Sequence, residues 1–429
     1  MINGWKEYRL RELAVSINRG VTPKYVENDG YIVINQKCIR NNILSFSEAR
    51  LTDRTKKITP NKEVCIGDIL VNSTGTGTLG RTAYVKELPQ NNIVTVDTHV
   101  TIVKLIENVD QRFLGYYLGY QEPQIENFAK GATNQQELSG DDLGLLKVYL
   151  PSLPIQNRIA KILSSYDDLI ENNLQRIKLL EELTQNTFNE MYSSNKEFEE
   201  VNLGSLIGHE IGGGWGNDEL TDEFNKPAYV IRGTDIDELP NGKLEKVPFR
   251  YHKKSNLASR KLQDGDIIFE VSGGSSYEGV AKTLLVTEEL LKQFDNAVMP
   301  ASFCKLARPA KREYSSFLFL FLRFLRNIRG TEVFEIRSAS NIVNYNWTAF
   351  LKFQKVKKPS NDVLEKFNAI VEPIYKQIYI LGNQNQYLKE ARDILLPRLM
   401  TGMIDVSEIE TELLMAAEDG VEYGKVENI

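Results

Sequence analysis

Glycine-rich and polar segments are the parts of this sequence best suited to chemistry, and the most suggestive is GTGTLG at residues 75–80. It follows a strand-like run and has the G-x-G-x-x-G spacing of a dinucleotide-binding loop, with Asp97 downstream as a candidate ribose ligand. The next residues, RTAYVKELPQNN, provide only a short strand and a turn where such a site requires a helix. We therefore interpret GTGTLG as a glycine-rich loop that closes a hairpin.

Other enzymatic motifs are missing from the sequence. It contains no GxxxxGK[ST] phosphate-binding loop, no Asp-x-Lys or Glu-x-Lys pair of a metal-dependent nuclease, and no Pro-Pro of an amino-methyltransferase motif. The histidines, His99, His209 and His252, lie too far apart for metal-ligand spacing, and the context VDTHVTIV favours a structural role for His99. The sequence predicts no catalytic residue and no metal site.

Polar and basic loop residues remain as candidates for binding a nucleic acid. Arg and Lys suit phosphates and guanine edges, Asn and Gln suit adenine edges, and Ser or Thr suit either. For each candidate the alternative is an ordinary solvated surface. The candidates are Lys24, Gln36, Lys37, Arg40, Asn41, Asn42, Lys56, Lys57, Ser73, Thr74, Arg81, Thr133, Asn134 and Gln135 in the first half, and Arg232, Lys253, Lys254, Arg260, Lys261, Ser272, Ser275, Ser276, Arg337, Ser338, Ser340 and Asn341 in the second.

These candidates belong to two copies of one long segment, because four pairs of similar stretches recur in the same order. The offset between the copies grows from 193 through 197 and 198 to 208, which indicates insertions in the loops of the second copy. The pairs are WKEYRLREL (5–13) with FEEVNLGSL (198–206), VINQKCI (33–39) with VIRGTDI (230–236), GDILVNSTG (67–75) with GDIIFEVSGG (265–274), and GATNQQELSGDDLGLLKV (131–148) with ASNIVNYNWTAFLKFQKV (339–356).

Each copy has short β-type runs that predict a mostly antiparallel sheet, and aromatic helical patches at 112–120 and 314–328 that should pack on it. After each copy, apolar residues at alternating spacings of three and four predict a long helix that packs on a second helix. Asn173 and Asn385 interrupt the two apolar faces; they are either solvated or buried, where an asparagine fixes helix register. Residues predicted to pack the helices or dock partners are Ile159, Ile162, Tyr166, Ile170, Asn173, Ile177, Leu180, Phe367, Ile370, Ile374, Ile378, Leu381, Asn385 and Leu388.

Charge and hydropathy leave the partner class open. The formal net charge is -6, but the tail 401–429 carries -7, from eight acidic residues and Lys425, so the rest of the chain carries +1. Bulk charge therefore neither predicts nor excludes DNA binding. No stretch has the roughly 18 apolar residues of a membrane span, the N-terminus is too polar for a signal peptide, and the three cysteines are scattered. We expect a cytoplasmic protein without disulfides.

The sequence resembles the DNA-specificity subunits of type I restriction-modification systems over about residues 5–400. The motifs that carry this resemblance are GVTP (20–23), GDILVNSTGTGTLGR, VDTHV, GATNQQEL and LPSLPIQNRIAKIL. The resemblance implies an α+β fold: two similar mixed, mostly antiparallel β-rich target-recognition domains with flanking helices, separated by two long antiparallel helices. The expected boundaries are 1–150 for target-recognition domain 1, 151–197 for the central long helix and linker, 198–355 for target-recognition domain 2, 356–400 for the C-terminal long helix and 401–429 for the acidic tail.

The resemblance also implies a function and partners. The chain would be a non-catalytic subunit that binds double-stranded DNA at a bipartite asymmetric target, with one domain per half-site and the helix pair setting the spacing. It would dock two modification subunits and the restriction subunits, with no membrane partner. It would hold no cofactor itself, since S-adenosylmethionine would bind the modification subunit and ATP and Mg the restriction subunit.

The second half departs from the family pattern, with SGGSSYEG in place of a fuller glycine loop and no Pro-x-x-x-Gln in KPSNDVLEKF. Two alternatives to the DNA-binding function are a duplicated coiled-coil scaffold with no DNA role and an enzyme with an unfamiliar site.

Overall fold

The computed structural model describes residues 4–131, 136–194, 198–273, 279–337 and 342–408. The chain divides into two compact units, one comprising Met1–Asp167 with Glu390–Ile429 and the other comprising Asp168–Lys389. Each unit contains a β-rich domain and parts of two long helices.

The first unit begins with a domain of short strands and short helices. Its strands are β1 Lys6–Arg9, β2 Ala14–Arg19, β3 Tyr25–Val26, β4 Gly30–Ile34, β5 Ile39–Arg40, β6 Ile43–Leu44, β7 Arg50–Asp53, β8 Ile69–Asn72, β9 Thr82–Tyr84, β10 Val94–Val96, β11 Val100–Leu105 and β12 Lys147–Leu150. Its helices are α1 Leu10–Leu13, α2 Gln111–Tyr120, α3 Glu122–Glu126 and α4 Gly140–Leu143, followed by the long helix α5 Leu153–Ser194.

Two larger sheets form this first domain. The sheet with strand order β2-β11-β8-β9 is antiparallel, and the sheet β10-β4-β7-β3 is mixed because β4 and β10 pair in parallel. Strand β8 is buried on both faces: Ile69 and Val71 join the cluster around Phe113 of α2, while Leu70 joins the cluster on the other side. Side chains alternate along a strand, so the continuous apolar run ILV reflects a sheet covered on both faces.

The second unit repeats this plan. Its strands are β13 Glu199–Asn202, β14 Ile207–Gly212, β15 Lys226–Ile231, β16 Phe249–His252, β17 Ile267–Glu270, β18 Ser272–Gly273, β19 Thr283–Leu285, β20 Ala297–Pro300, β21 Cys304–Pro309, β22 Glu335–Arg337, β23 Val343–Tyr345 and β24 Lys355–Lys358. Its helices are α6 Lys254–Arg260, α7 Glu288–Leu291, α8 Ser315–Asn327 and α9 Trp347–Phe353, followed by the long helix α10 Asn361–Met400.

The duplication predicted from the sequence extends to the pairing of individual residues. The sheet β14-β21-β17-β19 corresponds to β2-β11-β8-β9, and β16-β15-β20 corresponds to β7-β4-β10, including the parallel pair. Within corresponding ladders the partners are shifted by constant offsets, so no pairing has slipped. Lys6 pairs with Leu150 where Glu199 pairs with Lys358, Asn18 pairs with Ile102 where Ile211 pairs with Leu306, and Ile69 pairs with Val103 where Ile267 pairs with Ala307.

Each domain also buries an aspartate at the same place, at the start of its central strand. Asp68 accepts a hydrogen bond from the Nζ of Lys104 at 2.7 Å, and Asp266 accepts two from the guanidinium of Arg308 at 2.7 and 2.8 Å. Each carboxylate also accepts a backbone N–H from three residues earlier in the chain. A buried carboxylate is tolerated because these donors replace the water it has lost.

In the first unit, the start of α5 packs on the end of α10. Arg158 donates to the carbonyl oxygen of Ser407 at 2.5 Å, and Asp167 pairs with Arg392 at 2.5 Å, so the two chain directions are opposite. Val406 is buried in the same cluster. The predicted acidic tail 401–429 therefore begins with a packed segment, and residues from 409 on lie outside the described part of the chain.

In the second unit, the rest of α5 packs on the first three quarters of α10, again antiparallel. Thr184 contacts the Tyr375 hydroxyl at 3.2 Å, and the Phe188 ring lies 6.3 Å from that of Phe367. Asn173 and Asn385 are buried, with 6% and 4% of their surface exposed, so they are not the solvated residues that one interpretation required. Their role in helix register stays a prediction.

The predicted packing residues divide by exposure. Ile370 is 53% exposed and lies outside the buried face of α10, whereas Val371 and Tyr375 beside it are buried. The buried members are Ile159, Asn173, Ile177, Phe367, Ile378, Leu381 and Asn385, and the partly buried members are Ile162, Tyr166, Ile170, Leu180, Ile374 and Leu388.

Helix α10 also meets a tight turn of the second domain. A Cβ on Gly382 would lie 2.5 Å from the carbonyl oxygen of Pro240 and 3.0 Å from the amide nitrogen of Gly242. A Cβ on Gly242, whose φ is +80°, would lie 1.9 Å from the carbonyl oxygen of Gly382. The two backbones therefore approach to a distance that only glycine allows at both positions.

Candidate nucleic-acid interface

In the first domain, three segments that are distant in sequence meet beside the glycine-rich loop. The Thr74 hydroxyl and the Nδ1 of His99 are 2.7 Å apart, and the N–H of Ser73 donates to the carbonyl oxygen of His99. Gly75 has a φ of +97°, and a Cβ there would lie 2.6 Å from the Oε1 of Gln36. Two predicted contact residues, Gln36 and Thr74, are thus brought together with His99. As predicted, the loop joins two antiparallel strands, β8 and β9.

Arg19 fixes a further segment, residues 136–138, beside Thr74 and His99. Lys130 and Glu137 exchange two backbone hydrogen bonds of 2.9 Å, and the N–H of Leu138 donates to the carbonyl oxygen of Ser73. Arg19, at the end of β2, pairs with the Glu137 carboxylate and donates to the carbonyl oxygen of Leu138 at 2.7 Å. Residues 136–138 are therefore held beside Thr74.

A cavity of about 380 Å³ opens next to these residues. The Arg50 guanidinium stacks on the Tyr25 ring, 3.4 Å from its centroid. Asp97 is buried and accepts the N–H of His99 at 2.8 Å, and burial raises the pKa of its carboxyl above the ordinary value. The cavity is lined by Tyr25, Asp97, His99 and residues 35–37 and 47–50, among them the predicted Gln36 and Lys37.

Other candidates of the first domain lie apart from this group, and all of them except the partly buried Lys56 are exposed. Lys24 pairs with Asp53 at 2.8 Å, which holds the pKa of Asp53 below its usual range. Arg40 ends β5, and Asn41 and Asn42, with positive φ values of 53° and 60°, form the turn to β6. Lys56 and Lys57 follow β7 in the turn at 54–57.

Two candidate side chains of the first domain make hydrogen bonds within the domain itself. Ser73 is fully buried and its hydroxyl lies 2.5 Å from that of Thr101, so it faces the interior rather than solvent. Arg81 donates to the carbonyl oxygen of Gly77 at 2.5 Å and so braces the glycine-rich loop. The candidates Thr133, Asn134, Gln135, Ser275, Ser276, Ser338, Ser340 and Asn341 lie outside the described residues.

Basic candidates of the second domain lie within helix α6 and directly before and after it. Lys253 pairs with Glu223, Lys254 and Lys261 are exposed, and the Nε of Arg260 donates to the carbonyl oxygen of Gly212 at 2.8 Å. Gly212 ends β14, at the position where the first domain has Arg19 at the end of β2. Both domains therefore place an arginine side chain near the end of this strand. In the first domain the strand itself supplies it (Arg19), and in the second domain α6 supplies it (Arg260).

The remaining described candidates of the second domain lie elsewhere. Arg232 donates to Asp235 at 2.7 and 3.0 Å and to the carbonyl oxygen of Lys246, so its charge is satisfied within the domain. Ser272 donates to the side chain of Asn344 at 2.8 Å in the small sheet β18-β23-β22, where Arg337 is exposed.

The second domain also contains an arginine stacked on an aromatic ring. The Arg250 guanidinium lies 4.4 Å from the Trp215 ring centroid, but Arg250 is buried and pairs with Asp218. Next to it, burial and the charge of Arg250 lower the pKa of His252. The two stacks differ in their arginines, since Arg250 is buried and paired with Asp218 whereas Arg50 is exposed.

Sequence reasoning missed Arg19, Tyr25 and Arg50 and assigned His99 a structural role. Tyr25 and Arg50 are neighbours because β3 pairs with β7, and no local periodicity signals a contact between residues 25 positions apart. The signal for His99 was available, since it lies in VDTHV, one of the motifs that carries the resemblance.

The described residues contain no group of three or more His, Cys, Asp or Glu side chains placed to bind a metal ion. Among the helices within those residues, none combines the length and apolarity required to cross a membrane.

Comparison with known proteins relates these features to one family. Residues 2–182 match the model of the type I restriction modification DNA specificity domain, which confirms the resemblance. The type I restriction enzyme MjaIX specificity subunit of Methanocaldococcus jannaschii is 24% identical over 413 residues, covering 91% of this chain and 87% of the relative. The putative MjaX specificity subunit of the same organism is 25% identical over 215 residues, covering 47% of this chain and 49% of that protein.

A solved structure shares the fold. The type I restriction-modification S subunit from M. genitalium superimposes with a TM-score of 0.55 at 16% sequence identity, covering 92% of this chain and 96% of that one.

Proposed function

We propose that this chain is the sequence-recognition subunit of a type I restriction-modification system. Its residues 2–182 match the type I restriction modification DNA specificity domain. The observation that carries the proposal is the pair of β-domains with the same strand register and different polar surfaces. Each domain binds one half of a bipartite DNA target, and because the two surfaces differ, the two halves differ in sequence.

The first-domain surface has the chemistry that base recognition needs. Lys37, Thr74, Gln36 and His99 lie together and provide one charged amine, a hydroxyl, an amide and an imidazole. Amide and guanidinium groups contact base edges, and lysines contact phosphates. In the second domain, Lys254 at the start of α6 and Lys261 just after its end contact the phosphate backbone.

The chain is the non-catalytic member of its complex. Methylation and cleavage belong to modification and restriction subunits, which bind S-adenosylmethionine and ATP with Mg, respectively. The duplicated fold suits two modification subunits, one for each half of the target.

Helix α5 supplies a docking face for these subunits. Within the second unit, Leu169, Leu179 and Leu183 are exposed by 53%, 63% and 50%. At 3.6 residues per turn they lie within an arc of about 80°. A row of exposed leucines on one helix face is typical of a protein-protein contact. We expect Leu179→Glu and Leu183→Glu to weaken capture of the modification subunit, and the control Lys178→Glu, on the other flank of the helix, to leave it unchanged.

The DNA proposal is tested with the complex reconstituted from this chain and its modification subunits. Binding is measured on a duplex that contains the methylated motif found in cells and on a scrambled duplex, at fixed salt. Preference for the motif supports the proposal, and equal binding to both duplexes refutes it. Charge reversal at Lys254 and Lys261 should weaken DNA binding; unchanged binding refutes these two phosphate contacts, and a wild-type complex that binds neither duplex would indicate a duplicated helical scaffold instead.

A further inference from the structure

The open stack of Arg50 on Tyr25 is the feature of the first domain that the candidate list did not contain. Both side chains are exposed, Tyr25 by 39%. At 3.4 Å from the ring centroid, the guanidinium lies against the ring face. Stacking restricts the rotamers of a long side chain, so less entropy is lost when its planar N–H groups bind a ligand.

Comparison with other arginine–aromatic contacts shows why Arg50 is distinct. Arg54, over Tyr31, pairs with Asp29 at 2.7 Å, and Arg250, over Trp215, pairs with Asp218. Within the described part of the chain, Arg50 makes no such ion pair. Its guanidinium is held in place without being neutralised.

The surroundings of Arg50 indicate which acceptor it binds. Glu48 and Asp97 line the same cavity, and two carboxyl groups disfavour a phosphate at this point. A base pair has no net charge, and a guanine presents two acceptors, N7 and O6, to a planar arginine fork. Its cytosine partner presents an amino group, which a carboxylate such as that of Glu48 accepts.

We propose that Arg50, oriented by Tyr25, is a specificity-determining residue that binds the guanine of a G·C pair in the half-site of the first domain. The assignment rests on the proposed function and names the base class that this domain recognises. His99 and Gln36, which line the same cavity, then face the neighbouring base pairs.

The test uses the reconstituted complex and the methylated motif of cells that carry it. Arg50→Ala should make one guanine position of one half-site degenerate, with a loss of about 10- to 100-fold in preference for guanine, and leave the other half-site unchanged. Arg50→Lys keeps the charge and can still donate to guanine but lacks the planar fork, so it should retain overall affinity and show a guanine preference between those of the wild type and Arg50→Ala. Arg54→Ala is the matched control and should keep the wild-type motif.

A chemical probe distinguishes the base contact from an effect on folding. Replacing the guanine of that position by 7-deazaguanine removes the N7 acceptor; it should weaken the wild-type complex and leave the Arg50→Ala complex unaffected. An unchanged motif in Arg50→Ala, or a wild-type motif with no guanine in the affected half-site, refutes the role of Arg50 and leaves DNA recognition intact. A wild-type complex with no sequence preference at all refutes the proposed function instead.

Discussion

Breaking the buried ion pair between Asp266 and Arg308 in the second domain should lower the free energy of unfolding, because the buried carboxylate then lacks a compensating positive charge. In Arg308→Met the aliphatic stem remains, but Asp266 loses two charge-assisted hydrogen bonds while its carboxylate stays 1% exposed. Loss of one partner from a buried pair costs about 3–5 kcal/mol. Arg308 is 32% exposed, so water reaches part of the pair, and we expect the lower value of about 2–3 kcal/mol.

The loss is measured by urea unfolding followed by tryptophan fluorescence. Trp215 and Trp347 lie in the second domain and Trp5 in the first, so a Trp5→Phe background makes the signal specific to the second domain. The double variant Asp266→Asn with Arg308→Met removes the uncompensated charge and should recover at least half of the loss. A loss below about 0.5 kcal/mol, or a double variant no more stable than Arg308→Met, contradicts this account of the pair.

Three further predictions concern the second unit. Burial and the charge of Arg250 lower the pKa of His252, so near that pKa the unfolded chain binds a proton that the folded chain does not. The free energy of unfolding should therefore fall as the pH drops below about 6.5. In His252→Gln the free energy of unfolding should no longer show this dependence on pH. Gly382→Ala should destabilise the unit by about 2 kcal/mol or more in thermal unfolding, because the added Cβ meets the backbone of the facing turn; a neutral effect would show that the turn moves freely. Phe188→Ala should cost about 3–5 kcal/mol in urea unfolding, since the ring is fully buried, whereas exposed Leu183→Ala should change stability by less than about 0.5 kcal/mol.

The parts of the fold that local sequence determines were predictable. Apolar spacing and the prolines at 151 and 154 identified the long helix that begins at Leu153, and the ordered repeats identified the duplication. The division of each domain into two sheets with a parallel pair was not predictable, because it joins strands such as β4 and β10, some 60 residues apart. Pairing over such distances leaves no periodic signal in the sequence.

The candidate interface shows the same limit. Residue type selected Gln36 and Thr74 as DNA-contact candidates, and the structure places both beside the glycine-rich loop, but residue type could not separate solvent-facing groups from internal ones. Ser73 is buried and Arg232 is neutralised by Asp235, although both have the right chemistry for DNA. The domain boundaries and the individual DNA contacts stay predictions.

The shared strand register has a consequence for transplantation between the two domains. Since β8 and β17 sit in ladders whose partners correspond residue for residue, either strand can replace the other with every side chain keeping its face. The length differences between the copies lie in the connections, where the polar surfaces also differ. The chain thus holds two copies of one strand framework that carry different connections.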